Sequence, residues 1–221
     1  MAMKFYLLLI LYSTSCNFYN NNNITKFYEF FGTEKTEILK LTLASFDEFI
    51  LKNYGHLESK QEQVKAFLLD LDESIEEIKS KGKKWIFDKD LNREIIKRYE
   101  DSGLLKEIYI SKGELKDYYV KYDMKTLLPS DFVETVFPES EIDNNEIVPN
   151  YKGQFLYALY KFSTNKYAKK SLYLCYSIKY LTPGLVLNFA ADESDLYDFS
   201  DPLIRFLIIK EVYIKIMQQN K

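Results

Sequence analysis

Cysteine, histidine and glycine are scarce in this sequence of 221 residues, and their scarcity excludes several classes of protein. Its two cysteines, Cys16 and Cys175, form no C-x-x-C motif, and the single histidine, His56, has no second histidine for binding zinc. The seven glycines form neither a phosphate-binding loop nor a G-x-S-x-G nucleophile turn. The sequence therefore lacks the common signatures of zinc enzymes, nucleotide-binding enzymes and serine hydrolases.

Clusters of basic residues are missing as well. The formal net charge is −3, and no block of lysine or arginine stands out along the chain. Binding of DNA or RNA requires a concentrated positive surface, so we expect no nucleic-acid partner. Aromatic residues, in contrast, are abundant, with 19 tyrosines and 16 phenylalanines. Some tyrosine hydroxyls must then reach the surface, where tyrosine is common in recognition sites. The alternative is that AT-rich coding bias supplies the tyrosines and that they pack half-buried against the core.

The N-terminal segment has the order of a secretory leader. Lys4 precedes the apolar run 5–12, and Ser13, Thr14 and Ser15 precede Cys16. An eight-residue helix covers roughly 12 Å and cannot span the roughly 30 Å of a bilayer core. After the cysteine, residues 17–23 include five asparagines and no apolar period, which is typical of a flexible tether.

This segment resembles a bacterial lipoprotein signal peptide. The resemblance implies cleavage after a signal peptide at 1–15, lipidation of Cys16 and an Asn-rich tether at 16–23. It further implies a bacterial cell-envelope location, membrane-anchored through lipid and periplasmic or surface-facing. Removal of Lys4 with the leader leaves 29 basic and 33 acidic residues, a net charge of −4. Two alternatives stay open, which are ordinary secretory cleavage near Ser15 and a buried strand at 5–12 in a cytosolic domain.

The remaining chain, 24–221, predicts a single mainly α domain, an irregular bundle of antiparallel helix pairs. Residues 33–37 open a helical pattern whose apolar spacing continues to Tyr54, and a second helix is indicated over 59–78, the two being joined at Gly55–His56. Ser59 with Glu62 forms a capping-box pattern at the start of the second helix. A third helix is expected from Asp88 or Asp90 to Ser102–Gly103. A closing helix is expected from Asp201–Pro202.

Three segments are less clear. Residues 104–122 fit short helices or a strand pair around Lys112–Gly113, and 153–181 fit two helices or a small β-hairpin, with helices preferred. Segment 139–150 is rich in acids and amides and predicts a solvated loop, with a seam between two helical halves.

The candidate binding residues lie in two acidic loops that each contain a tyrosine. Segment 139–151 ends at Tyr151, and segment 192–201 contains Tyr197. The second loop lacks the D-x-D-x-D-G order of a calcium site, so a solvated loop is favoured and neither a metal nor a cofactor is expected. Its binding candidates, besides Tyr197, are Asp192, Glu193, Asp195 and Asp198.

These features favour an envelope-anchored lipoprotein that acts as a non-catalytic macromolecule-binding module. A protein partner is expected, and one specific form is an immunity-type inhibitor of a toxin, suited to its target by charge complementarity. The enzymatic alternative is a carboxylate- or metal-dependent hydrolase of the cell envelope that uses acids from 139–146 and 192–201. A third alternative is an accessory subunit of an outer-membrane complex.

Overall fold

The computed structural model describes residues 2–72, 85–128, 144–177 and 194–219, with side chains from residue 22 onward apart from Asp72 and Ser194. These residues are mainly helical with one small antiparallel sheet, which confirms the expected fold class. The helices are α1 Ala2–Tyr54, α2 Lys60–Asp72, α3 Lys89–Asp101, α4 Leu104–Ile108, α5 Lys112–Lys116, α6 Gln154–Phe162, α7 Lys166–Ser177, α8 Pro202–Ile208 and α9 Ile214–Gln219. The strands are β1 Tyr109–Ser111 and β2 Ile147–Pro149.

Helix α1 is interrupted at Gly32, whose φ of 74° and ψ of 172° are not helical. Glycine tolerates a positive φ because it has no Cβ. The Thr36 hydroxyl donates a hydrogen bond of 2.6 Å to the Tyr28 carbonyl across this break. The second half of α1 therefore starts close to the position that the sequence pattern predicts.

Helices α1 and α2 pack together, as the sequence predicts, and aromatic side chains form much of their contact. Phe67 on α2 lies edge-on to Phe46 and Phe49 on α1, with ring centroids 5.9 and 5.4 Å apart. The predicted capping box is present, since Ser59 Oγ accepts from the Glu62 amide and Glu62 Oε2 accepts from the Ser59 amide. The predicted end of this helix at 73–78 lies outside the described residues.

Helix α3 has the bounds that its caps predict. The Asp88 carboxylate accepts a hydrogen bond of 2.9 Å from the Leu91 amide at the first turn. The residues that its 3.6-residue period places on one face, Ile95, Ile96 and Tyr99, are all fully buried. Gly103 then ends the helical run with a φ of 70°.

Segment 104–122 forms neither short helices alone nor a strand pair around Lys112–Gly113, the two structures that its sequence allows. The chain forms a helix, a strand and a helix there, and the strand pairs with 147–149 instead of with a neighbour inside the segment. Ile110 lies opposite Val148, and both side chains are buried together with Leu115. The solvated-loop prediction was therefore wrong for 147–149, because Val148 completes this small apolar cluster. The part of the predicted loop and seam at 139–143 lies outside the described residues.

The C-terminal third confirms the helical interpretation of 153–177 and the closing helix. Asn165 accepts hydrogen bonds from the Tyr167 and Ala168 amides at the start of α7. The Asp201 carboxylate accepts a hydrogen bond from the Leu203 amide at the start of α8, and Pro202 is the first residue of that helix. The sequence pattern did not indicate the π-helical turn at Ile209–Tyr213 that joins α8 to α9.

Candidate functional site

The predicted acidic site is only partly inside the described structure. Asp195 is exposed and lies 3.5 Å from the ammonium group of Lys65. Asp198 accepts hydrogen bonds from the amide and hydroxyl of Ser200. Asp192 and Glu193 lie outside the described residues. Within the described ranges, no group of three histidine, cysteine, aspartate or glutamate side chains is placed to hold a metal ion.

Tyr197 is buried, so the expectation that it is exposed was wrong. Its side chain is 3% exposed, and its hydroxyl lies 2.8 Å from the Ser171 hydroxyl on α7. Its ring stacks on Phe199, and its carbonyl accepts a hydrogen bond from Gln61 on α2. The loop thus folds back between α2 and α7, and this ring stabilises the fold from inside.

Tyr151, the other candidate tyrosine, lines a surface cleft of about 390 Å³. The rings of Tyr122 and Tyr176 line the same cleft, and the centroids of Tyr151 and Tyr176 are 6.3 Å apart in an edge-on arrangement. We call this surface the tyrosine cleft. Its other described lining residues are Val120, Asp123, Met124, Lys125 and Lys152.

The walls of the tyrosine cleft are held by backbone contacts and by aromatic packing. Tyr151 lies in the turn after β2, where its amide donates to the Pro149 carbonyl at 3.1 Å. The ring of Tyr122 stacks on Tyr157 of α6 at 5.2 Å. Lys152 donates to the carbonyl of Leu115 at 2.9 Å. The rings therefore present a preformed surface, which lowers the entropy cost of binding.

The charge around the tyrosine cleft is locally positive, although the chain is acidic. Lys125 and Lys152 lie on its lining with a single carboxylate, Asp123. Asp123 accepts a hydrogen bond from the Lys125 amide and so caps the short turn Met124–Leu127. Beside the cleft lining in sequence, Tyr119 is 83% exposed. The surface therefore combines apolar rings with hydroxyl and ammonium donors.

A second group of chemically interesting residues is buried and was missed by the sequence analysis. Lys210 and Glu211 form an ion pair in the π-helical turn, and each residue is only 2% exposed. The Cys175 thiol lies 3.8 Å from the Glu211 carboxylate, and the Tyr109 hydroxyl donates to the Lys210 carbonyl. The available signal was the presence of two adjacent opposite charges, Lys210 and Glu211, inside the otherwise uncharged run 206–214.

This buried group is not suited to nucleophilic chemistry. Burial raises the pKa of the Cys175 thiol to about 12, and the neighbouring Glu211 carboxylate adds to the shift while Lys210 opposes it. A cysteine nucleophile needs the thiolate, which such a pKa disfavours at neutral pH. The one histidine, His56, is exposed in the turn between α1 and α2. We therefore interpret the ion pair as structural.

The structure describes the backbone of the N-terminal segment but not its side chains before residue 22. Cys16 lies in the part of α1 whose side chains are outside the described set, so its lipidation stays a prediction. Among the described residues, no helix combines the length and apolar character needed to cross a membrane.

In comparisons with known proteins, no protein-family model matches the chain, and neither a curated protein nor a solved structure matches it.

Proposed function

We propose that this chain is an envelope-anchored lipoprotein that binds another protein without catalysis, through the tyrosine cleft. The observation that carries the proposal is the meeting of Tyr122, Tyr151 and Tyr176 around a cleft of about 390 Å³. Tyrosine is enriched among the residues that dominate binding energy, because it buries a large ring while its hydroxyl still forms a hydrogen bond. The N-terminal resemblance to a lipoprotein supports the anchor at Cys16.

The polar groups of the tyrosine cleft favour binding over hydrolysis. Glycoside hydrolysis generally uses two carboxylates, and other hydrolases need a nucleophile with an adjacent base or a metal. Asp123 is the one carboxylate among the described lining residues, and it already caps a backbone amide. Lys125 and Lys152 suit hydrogen bonding to a partner's carboxylates or carbonyls.

The charge of the whole chain bears on the kind of partner. With the leader removed, the net charge is 29 − 33 = −4, and an acidic surface accelerates encounter with a basic protein. The specific form that we propose is an immunity-type inhibitor of an exported toxin. The net negative charge of the chain would speed the approach of a basic toxin, and Lys125 and Lys152 at the tyrosine cleft would then pair with carboxylates on the toxin's contact surface.

Site-specific photo-crosslinking in the cell envelope tests this proposal. Benzoylphenylalanine replaces Tyr119, which is 83% exposed next to the cleft lining, or Leu69, which is 48% exposed on α2 and serves as the control. A discrete protein adduct from position 119 that is missing from position 69 is the expected result. Equal adducts from both positions, or none from either, would contradict the proposal.

A pair of alanine variants then measures the contribution of the rings. Tyr151→Ala should weaken the captured interaction by about 2 kcal/mol, roughly thirtyfold, as for other binding tyrosines. The control is Tyr160→Ala, which removes a half-buried tyrosine of α6 that is not part of the cleft lining. Both variants should keep the wild-type melting temperature within a few degrees. Equal affinity of the two variants would exclude Tyr151 from the interface.

A further inference from the structure

A second surface of the molecule has the features of a small-ligand site. A groove of about 240 Å³ lies between strand β1, strand β2 and helix α9. Its apolar wall includes Leu105, Ile110 and Ile147, and its polar side includes Lys215 and Gln218 of α9. Ile147 is 65% exposed and therefore offers apolar surface to a ligand on this wall. We call this surface the β1–α9 groove.

Lys215 is the charge in the β1–α9 groove that forms no ion pair with any residue of the described ranges. Its ammonium lies 5.1 Å from the centroid of the Tyr109 ring, and none of the carboxylates that the structure describes lies within 4 Å of it. The other lysine of the groove, Lys106, is paired with Glu114 at 2.8 Å. Behind the wall, Lys210 and Glu211 neutralise each other. Among the described lining residues, the net charge of the groove is therefore positive and belongs to Lys215.

The surroundings of Lys215 make an anionic partner favourable. Burial lowers the pKa of this lysine, the charge of Lys210 lowers it further, and Glu211 opposes the shift. The ammonium thus lacks part of the solvation that it has in water, and a bound anion would supply a charge-assisted hydrogen bond. The Gln218 amide lies on the same side of the groove and adds a second donor.

We propose that the β1–α9 groove binds a small anion with an apolar body, whose head contacts Lys215 and Gln218 and whose body packs on Ile110 and Ile147. A carboxylate and a phosphate head share this chemistry. The size of the groove, below the roughly 300–1,000 Å³ of drug-sized pockets, sets a limit of a short aliphatic or single-ring body. This site is separate from the tyrosine cleft, since the two share no lining residue.

Methyl NMR on the full chain with labelled isoleucines tests the proposal directly. Octanoate and octyl phosphate serve as the two anionic probes, and octanamide is the neutral probe of matched length. Saturable shifts of the Ile110 and Ile147 methyl groups with at least one anion, and affinity about tenfold weaker for octanamide, are expected. Equal affinity for the neutral and anionic probes, or shifts confined to other isoleucines, would overturn the proposal.

Two variants separate the contribution of the charge from that of the wall. Lys215→Met keeps an unbranched stem beside the Tyr109 ring and should weaken anion binding about tenfold without changing octanamide binding. Its matched control is Lys169→Met, which removes another lysine positioned over a tyrosine ring, that of Tyr160 at 5.3 Å. Ile147→Glu, at an exposed position, should also weaken anion binding. Wild-type anion affinity in both Lys215→Met and Ile147→Glu would refute the site.

Discussion

Removal of one member of the buried Lys210–Glu211 ion pair should destabilise the fold strongly, whereas removal of both should not. The Lys210 and Glu211 side chains are 3% and 2% exposed, so neither charge can recover its hydration when its partner is lost. Burial alone would lower the pKa of Lys210, but the Glu211 carboxylate and the Cys175 sulfur raise it above its ordinary value. The Glu211 side chain thus favours the charged form of the Lys210 ammonium.

The expected magnitude follows from the cost of a lone buried charge. Lys210→Met and Glu211→Leu should each lower the free energy of unfolding by about 3–5 kcal/mol, because the remaining buried charge has no opposite charge beside it. The double variant should lie within about 1 kcal/mol of the wild type, because a well-packed apolar pair often replaces a buried ion pair without loss. At about 2–4 °C per kcal/mol for a chain of this size, each single variant should melt about 6–20 °C lower.

Urea denaturation of the wild type, both single variants and the double variant completes a thermodynamic cycle. Lys40→Met provides the surface control, since Lys40 pairs with Glu37 at 3.2 Å and both side chains are more than half exposed. That control should cost about 1 kcal/mol or less. A Lys210→Met variant as stable as Lys40→Met would refute the reasoning, as would a double variant as unstable as the singles.

Three further predictions concern other parts of the molecule. Gly153→Ala should lower the free energy of unfolding, measured by urea denaturation, by about 3 kcal/mol, because the new Cβ would lie 2.1 Å from a backbone carbonyl oxygen of α4. Gly113→Ala should lower it much less, because its Cβ would lie 3.3 Å from the nearest atom. Burial raises the pKa of Tyr28 and of Tyr213 to about 12, above the ordinary value of about 10 in the unfolded chain. The stability that these two neutral hydroxyls contribute should therefore be fully present below about pH 10 and fall as the pH rises towards 12. A titration of tyrosine absorbance with parallel circular dichroism checks this. Cys16→Ser should leave the circular dichroism spectrum unchanged and abolish both membrane association and fatty-acid labelling, and retained label would exclude the proposed thioether anchor.

Local signals predicted the helices well, because each depends on residues close together in sequence. Asp88 caps α3, Ser59 caps the start of α2, and Asp201 with Pro202 opens α8, all as their side-chain chemistry predicts. The buried faces also follow the helical period. Ile95 and Ile96 of α3, for example, are fully buried.

The β1–β2 pair could not be predicted because its signal is distant along the chain. The sequence 109–111 fits a short strand, but its partner at 147–149 follows a long segment rich in acids and amides. Only the packed structure shows that Val148 meets Ile110 and Leu115. The burial of Tyr197 escaped prediction for a similar reason, since its hydrogen-bond partners Ser171 and Gln61 belong to two other helices.

Strand β2 links the two surfaces for which we propose ligands. Ile147 at its start lines the β1–α9 groove, and Tyr151, two residues beyond its end, lines the tyrosine cleft. Between them, Val148 is 5% exposed and pairs with Ile110, so a cavity there would disturb both surfaces at once. Loss of binding in a Val148 variant would therefore identify neither site. Ile147→Glu, at an exposed position, alters the lining of the β1–α9 groove and leaves the pairing of Val148 with Ile110 in place. Tyr151→Ala alters the tyrosine cleft but also removes a ring that packs on the cluster of Ile110 and Val148, so its anion affinity must be measured beside its protein affinity. The two surfaces are separate if Tyr151→Ala loses the protein partner and keeps the anion.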